Sequence, residues 1–380
     1  MERPDYTQMV RWLKTTDSTD LQALFDAALA VTHARFGRKI YFRGLVEFGN
    51  ICAKNCFYCG IRRGNANLSR FQMTAEQIIA CARQTAAAGY GSIVLQAGER
   101  QDSGFAEFVE ALVRRIKDET GLGVTLSLGE QSPDVYRRWR EAGAHRYLLR
   151  IETSNRQLYR RLHPADHSYD RRLKCLRALR AVGYMVGTGV MIGLPGQTEE
   201  DLANDILFFE SEDVDMIGMG PFVPHPHTPL YASAAEYRPE RQLRLALVMI
   251  ALARLRLPDV NIAAATALDA LAPQGRQWGL LAGANVIMHN LTPPQYGRRY
   301  YLYEGHWPAS ECQEIEKQHA VLAAQIAAIG AEIAYWEYGD SPRFVRRLTA
   351  QRGSTGVPSA GETGACGAVA ESDWGTFASQ

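Results

Sequence analysis

Asn50-Ile-Cys-Ala-Lys-Asn-Cys-Phe-Tyr-Cys-Gly-Ile-Arg-Arg-Gly-Asn-Ala-Asn67 sets three cysteines, Cys52, Cys56 and Cys59, at Cys-x3-Cys-x2-Cys spacing. Gly49, Asn50, Asn55 and Gly60 surround them and are turn formers, so the stretch reads as a loop able to fold its thiolates inward. The positions are also i, i+4 and i+7, the spacing of one helix face, but the flanking Gly and Asn residues oppose a helix there. Clustered thiolates suit soft metals, iron–sulfur above all. A structural zinc site takes four Cys or His ligands, and no Cys or His lies between Cys59 and Cys81. Three thiolates on a four-iron cube leave one iron open to a substrate or cofactor, which points to catalysis.

Around this loop the chain alternates strand and helix. Lys39–Phe48 reads as a strand that delivers the chain to the cysteines. Thr74 with Gln77 forms a capping box for a helix that ends at Gly89. Further strands are expected at Ser92–Gln96, Val124–Leu128, Arg146–Ile151, Met185–Leu194, Met216–Phe222, Val260–Thr266 and Asn285–His289. Between them lie helical faces such as Phe105, Phe108, Val109, Leu112, Val113 and Ile116. Ser132-Pro133-Asp134 and Thr198 mark helix starts. Helices are expected around Tyr169–Val182 and over Gln242–Leu257. Eight strands over roughly 250 residues predict an α/β fold, a closed (β/α)8 TIM-type barrel.

Residues 1–38 are expected to form an N-terminal helical extension, 39–308 the barrel and 309–350 a C-terminal helical extension. From 351 to 380 the composition turns to Gly, Ala, Ser and Thr, so a disordered tail is expected. The formal charge of +1 offers no basic surface for nucleic acid. No stretch of about 18 apolar residues could span a membrane, and no secretory leader is evident, so a cytoplasmic location is expected. Seven cysteines, three of them grouped, read as metal ligands rather than a disulfide set.

Polar residues recur where the strands end, the face at which such barrels do chemistry. Gln96-Ala97-Gly98-Glu99 ends the second strand, and Thr125 through Glu130 the third. Arg146, Arg150 and Glu152 lie along the fourth. Arg150 and Glu152 share a face by the period of two, and an inward ion pair is costly unless something polar meets it. The glycines Gly187, Gly189, Gly193 and Gly196 match neither a dinucleotide fingerprint nor a P-loop. They suit close approach of a planar ring to the backbone. His225 and His227, in Pro-His-Pro-His-Thr-Pro, read either as metal ligands or as the end of a proline-fixed loop, the second preferred, and Cys81 and Cys175 read as core thiols.

The cysteine spacing, with Tyr58 before the last thiol, resembles the radical S-adenosylmethionine (SAM) superfamily. Val124–Glu130, Arg146–Thr153, Gly193–Thr198, Gly220–Pro229 and Ala284–Met288 are similar to the HydE family of [FeFe]-hydrogenase maturases, over roughly residues 35–345. Biotin synthase and methylornithine synthase are related in the same way. The resemblance implies a [4Fe–4S] cluster on Cys52, Cys56 and Cys59 with SAM on the open iron, whose reductive cleavage gives a 5′-deoxyadenosyl radical. It implies that Glu152 holds the SAM ribose and Arg172 its carboxylate, with Tyr58, Gly98, Glu99, Met191 and Met219 also at the cofactor. Gln96, Thr125, Arg146 and Arg150 would line the substrate cavity, together with Thr266, Met288, Tyr300 and Tyr303.

The implied substrate is a cysteine-bound iron carbonyl–cyanide complex, a small organometallic, on the way to the H-cluster di-iron subcluster. The maturases HydG and HydF, and a flavodoxin or ferredoxin as reductant, are the implied partners. The alternative within the superfamily is a small amino-acid-like substrate. Two departures from the family pattern stand out. Cys312 is alone where some relatives carry an accessory cluster, and Ala265-Thr266 replaces a pair of threonines.

Overall fold

The computed structural model describes residues 3–303 and 315–354. Eight parallel strands form the barrel: β1 Lys39–Gly49, β2 Ser92–Ala97, β3 Gly123–Ser127, β4 Ala144–Leu148, β5 Met185–Thr188, β6 Met216–Ile217, β7 Asn261–Ala264 and β8 Val286–Asn290. They pair in chain order, and β8 closes on β1 with Tyr41 opposite Val286 and Leu45 opposite Asn290. Each strand is buried on both faces, so its sequence is a short apolar run rather than an alternation. Helices fill the crossovers. Thr74 and Gln77 make the expected capping box, and Ser132 caps the helix Pro133–Glu141 with proline in its first turn. Phe105, Val109, Leu112, Val113 and Ile116 are buried along one face of Ser103–Thr120.

The expected fifth and sixth strands are each interrupted. Past Thr188 and Ile217 the chain leaves the barrel and re-pairs as a separate two-residue ladder, Met191–Ile192 against Gly220–Pro221. A Cβ on Gly189 would lie 2.1 Å from the Gly218 carbonyl oxygen, so only glycine allows this crossing. The fourth strand ends at Leu148, before Arg150 and Glu152, which therefore project above the barrel wall.

Two helices, Tyr6–Lys14 and Ser18–Phe36, precede β1 and pack on Glu199–Ser211 and Pro239–Arg256 respectively. The C-terminal part closes the opposite end of the barrel from the cysteines. Glu332–Ile333 pairs with Lys39 and Ile40, the first residues of β1. Phe344, on the helix Pro342–Ser354, packs on Met185 and Met216, where β5 and β6 begin. Cys312 and the chain beyond Ser354 lie outside the described residues. No helix among the described residues is long and apolar enough to cross a membrane.

Candidate active site

The cysteine loop is held by its own backbone. Ala53 N–H donates to the Glu99 carbonyl (2.8 Å), Phe57 N–H to that of Leu162 (2.9 Å) and Gly60 N–H to that of Leu302 (2.9 Å), tying it to three separate segments. Asn55 N–H donates to His167 Nε2 at 3.0 Å. The Arg70 guanidinium donates to the Asn50, Ile61 and Arg62 carbonyls at 2.6–2.8 Å, collecting the loop around one cation. Beneath it, a Cβ on Gly98 would stand 2.3 Å from the Ile51 carbonyl oxygen, which explains the glycine at the end of β2.

None of the five described cysteines is in a disulfide. Burial pushes the Cys56 thiol up to about 12, and Cys52 and Cys59 also rise, with the neighbouring thiols adding to it in Cys56 and Cys59. Thiols so placed ionise only when a cation offsets the burial, and bound iron does this outright. Among the described residues no three Cys, His, Asp or Glu side chains converge as around a single metal ion. A cube asks for less, since each of its irons takes its own thiolate. The donor set fits an iron–sulfur cluster on Cys52, Cys56 and Cys59.

Beside the loop lies a buried charge network. Lys54, between two of the cysteines, pairs with Glu130 (2.9 Å) and Glu99 (3.4 Å), and Glu130 also takes Arg172 (2.7 Å). Arg172 donates in addition to the Arg150 carbonyl at 2.5 Å. Burial raises Glu99, whereas in Glu130 burial is outweighed by Arg172 and Lys54, which hold it below the usual carboxylate range. Lys54 and Glu47 escape reading from sequence because each acts through contacts distant along the chain, and Arg70 because its partners are backbone carbonyls, which carry no residue-type signal. Glu47, fully buried inside the barrel, accepts from Asn290 Nδ2 at 3.0 Å and stands 3.5 Å from Gln96 Nε2.

Glu152 is the other focus. Its φ is +69°, rare for a residue with a side chain and worth roughly 1–3 kcal/mol of strain. Its N–H donates to the Gly189 carbonyl and its carbonyl accepts from Met191 N–H, each at 3.0 Å. Arg150 Nη2 stands 3.1 Å from Glu152 Oε2 but donates to the Val190 carbonyl at 2.9 Å. The buried Oε2 thus faces a charge yet holds no hydrogen bond; Arg150 Nε and Thr125 Oγ1 are buried without one as well. Buried polar atoms left in this way cost stability and mark places where a ligand supplies the partner. Next to them Met191 packs with Leu158, Leu162, Leu194 and Phe222, and the Tyr58 ring joins this group. Tyr58 O–H reaches His163 Nε2 at 3.4 Å. An apolar cluster thus stands beside carboxylate and guanidinium atoms that lack hydrogen-bond partners, a combination of apolar and polar groups compatible with a nucleoside.

The other residues singled out from sequence divide. Thr125 and Met288 line a cavity in the barrel interior with Arg43, Val94 and Leu148. Tyr300 is buried against Gln96, and Cys52 and Cys59 also act on its hydroxyl, so it lies beside the cysteine loop. Thr266 opens a turn just past β7, half-buried, and Tyr303 is half-buried at the edge of the described residues. Met219 lies in the main core, apart from the Met191 group. The placement of Arg146 in the substrate cavity is corrected. Its inward parity holds, but its side chain turns to the far end of the barrel. There Nε and Nη2 donate to Asp340 Oδ1 (3.0 and 2.6 Å), and Nη2 also reaches the Tyr338 carbonyl.

The sequence profile of the Radical SAM superfamily matches residues 46–209. The chain is 46% identical over 307 residues, 80% of its length and 86% of the relative's, to the [FeFe] hydrogenase maturase subunit HydE of Thermotoga maritima. It is 29% identical over 289 residues, 75% of this chain and 79% of the other, to 3-methylornithine synthase of Methanosarcina barkeri. Among solved structures, methylornithine synthase (PylB) superposes with a TM-score of 0.75 at 25% identity, covering 88% of this chain and 95% of that one.

Proposed function

The chain belongs to the Radical SAM superfamily, and on that premise we propose that it acts in [FeFe]-hydrogenase maturation. Its substrate in this reading is a cysteine-bound iron carbonyl–cyanide complex, a precursor of the H-cluster di-iron subcluster. The observation that carries the reading is the 46% identity to HydE over four-fifths of the chain. When bound, the reduced [4Fe–4S] cluster and SAM supply a 5′-deoxyadenosyl radical.

The chain's own residues then bind, orient and shield. Cys52, Cys56 and Cys59 hold three irons. Glu152 takes the ribose hydroxyls on its open oxygen. Arg172, fixed by Glu130, presents its guanidinium to the methionyl carboxylate, and Glu99 lies at the amino end beside Gly98. Arg150 grips the substrate carboxylate with a planar fork, which suits Arg rather than Lys. Gln96, Thr125, Met288 and Tyr300 line the space between, with Thr266 and Tyr303 at its edge. A cytoplasmic setting, a flavodoxin or ferredoxin as electron donor, and exchange with the maturases HydG and HydF complete the proposal.

The likeness to methylornithine synthase favours a second reading, a radical rearrangement of a small amino acid. The two separate in one assay. Anaerobically reconstituted protein with SAM and a reductant is given either the cysteine–iron carbonyl–cyanide complex or a set of free α-amino acids, and 5′-deoxyadenosine is measured. Stimulation by the complex alone is expected; stimulation by a free amino acid alone would replace the first reading with the second.

A further inference from the structure

One buried carboxyl group lies just behind the site and takes no part in the roles above. Asp205, on the helix Glu199–Ser211, is fully buried. Its Oδ1 accepts Ser154 N–H at 2.6 Å, and its Oδ2 is enclosed with no hydrogen-bond partner. One turn earlier on the same helix face, Asp201 Oδ1 accepts from Asn155 Nδ2 at 2.8 Å. Both carboxyls therefore grip the turn that follows Glu152 directly.

That turn needs gripping. Glu152 is one of three residues other than glycine with positive φ among those described. Strained backbone of this kind persists only where its surroundings over-determine it. On the side of the barrel, Gly189 and Met191 hold the Glu152 peptide groups. On the chain's onward side, the tie is Ser154 N–H to Asp205, supported by Asn155 N–H to Thr153 Oγ1 at 3.2 Å. Burial pushes the Asp205 carboxyl up to about 7, against the pull of Ser154, so it is largely neutral below that pH. What the turn takes from it is an acceptor at Oδ1, and an amide supplies the same atom.

We propose that Asp205, assisted by Asp201, is a positioning residue that locks the Glu152 turn in its left-handed conformation and so aims the open Glu152 oxygen at a bound ribose. This rests on the reading of Glu152 as the ribose contact. The test is SAM affinity of the full-length, cluster-reconstituted protein, read from the change SAM causes in the electron paramagnetic resonance spectrum of the reduced cluster. Iron content and thermal midpoint are measured in parallel. Glu152→Gln is expected to weaken SAM about tenfold or more and Asp205→Ala about tenfold, a factor that corresponds to about 1.4 kcal/mol. Asp205→Asn should restore the affinity to within about threefold of the parent.

If Glu152→Gln leaves affinity unchanged, the ribose assignment falls and the inference falls with it. If Glu152→Gln weakens binding and Asp205→Ala does not, the inference alone is overturned. If Asp205→Asn keeps iron and fold but binds SAM as poorly as Asp205→Ala, a charge rather than an acceptor is required, and the proposal fails as stated. Should Asp205→Ala not fold, Asp201→Ala loosens the same turn from Asn155. A fall of about threefold in SAM affinity would then support the proposal, and unchanged affinity would overturn it.

Discussion

Asp340→Asn leaves the fully buried Arg146 guanidinium without its counter-charge, and the size of the effect follows from the contacts. Arg146 is 0% exposed, and the Asp340 side chain is 26% exposed. Breaking a buried ion pair by removing one partner costs about 3–5 kcal/mol, and the partial exposure of Asp340 favours the lower end, about 3 kcal/mol. Unfolding entropy near 2.1 cal/mol/K per residue gives roughly 0.8 kcal/mol/K for a chain of this size, so the melting midpoint should fall by roughly 4 °C.

The pH of the assay matters. Burial pushes the Asp340 carboxyl up, but the hydrogen bond from His145 and the Arg146 charge outweigh it and hold the group below the usual carboxylate range. Its contribution is therefore fully present above the unfolded value near 4 and is lost as pH falls through the lower folded value. Anaerobic calorimetry at pH 7.5 reads it undiminished. Arg146→Met should lower the midpoint too, and the double variant should recover part of the loss, because no unpaired charge remains. The reasoning is refuted if Asp340→Asn melts like the parent while Arg146→Met folds normally and loses only substrate-stimulated turnover. That outcome would return Arg146 to the substrate cavity, where the sequence pattern puts it.

Three further outcomes are expected. Substituting Cys52, Cys56 or Cys59 by Ala should abolish both the cluster and SAM cleavage, while the parent binds about four irons by iron and sulfide analysis; six to eight specifically bound irons would contradict a single cluster. Arg150→Lys should spare SAM affinity and impair the substrate-dependent step, whereas Glu152→Gln should weaken SAM by roughly 1.5–3 kcal/mol; joint loss of thermal stability in both variants, with neither activity separated, would make them a structural ion pair. Burial holds His145 and His289 each down at about 4, so they stay neutral in the fold while the unfolded chain takes protons near 6.5. Burial holds His163 and His225 down in the same way, so stability should fall as pH drops from about 6 toward 4, each such group adding up to about 1.4 kcal/mol per pH unit, and rise again with pH; a flat denaturation midpoint across that range would count against it.

The barrel was legible because its determinants are local. Strand runs such as Ser92–Gln96, caps at Thr74, Ser132 and Thr198, and the apolar face from Phe105 to Ile116 each declare themselves within a few residues. The breaks in the fifth and sixth strands were hidden for the opposite reason. Val190 and Met191 look as strand-like as their neighbours. What interrupts the ladder is the Gly189–Gly218 crossing, a contact between two segments that only the closed barrel brings together.

The site follows the same division, with one instructive failure. The thiolate loop and Glu152 follow β1 and β4 closely, and a residue just past a parallel strand stays at that end of the barrel however the helices pack; Arg172 stands on the helix Tyr169–Val182 and meets the same end through Glu130 and the Arg150 carbonyl. Arg146 shows why parity is weaker evidence than position. The period of two tells which side of the wall a side chain takes, but not its height, and an arginine reaches far enough to choose either mouth. Asp340, nearly two hundred residues later, makes the choice for it. A barrel that carries extra arginines inward must settle each against something. Arg150 remains near open polar atoms, with its Nε unpartnered. Arg146 is paired at the far end by a segment that also places Phe344 over the barrel floor. The charge left for a ligand in the upper cavity is thereby smaller than a count of arginines on β4 and beyond would suggest, and it is concentrated on the one group, Arg150, that stands next to Glu152.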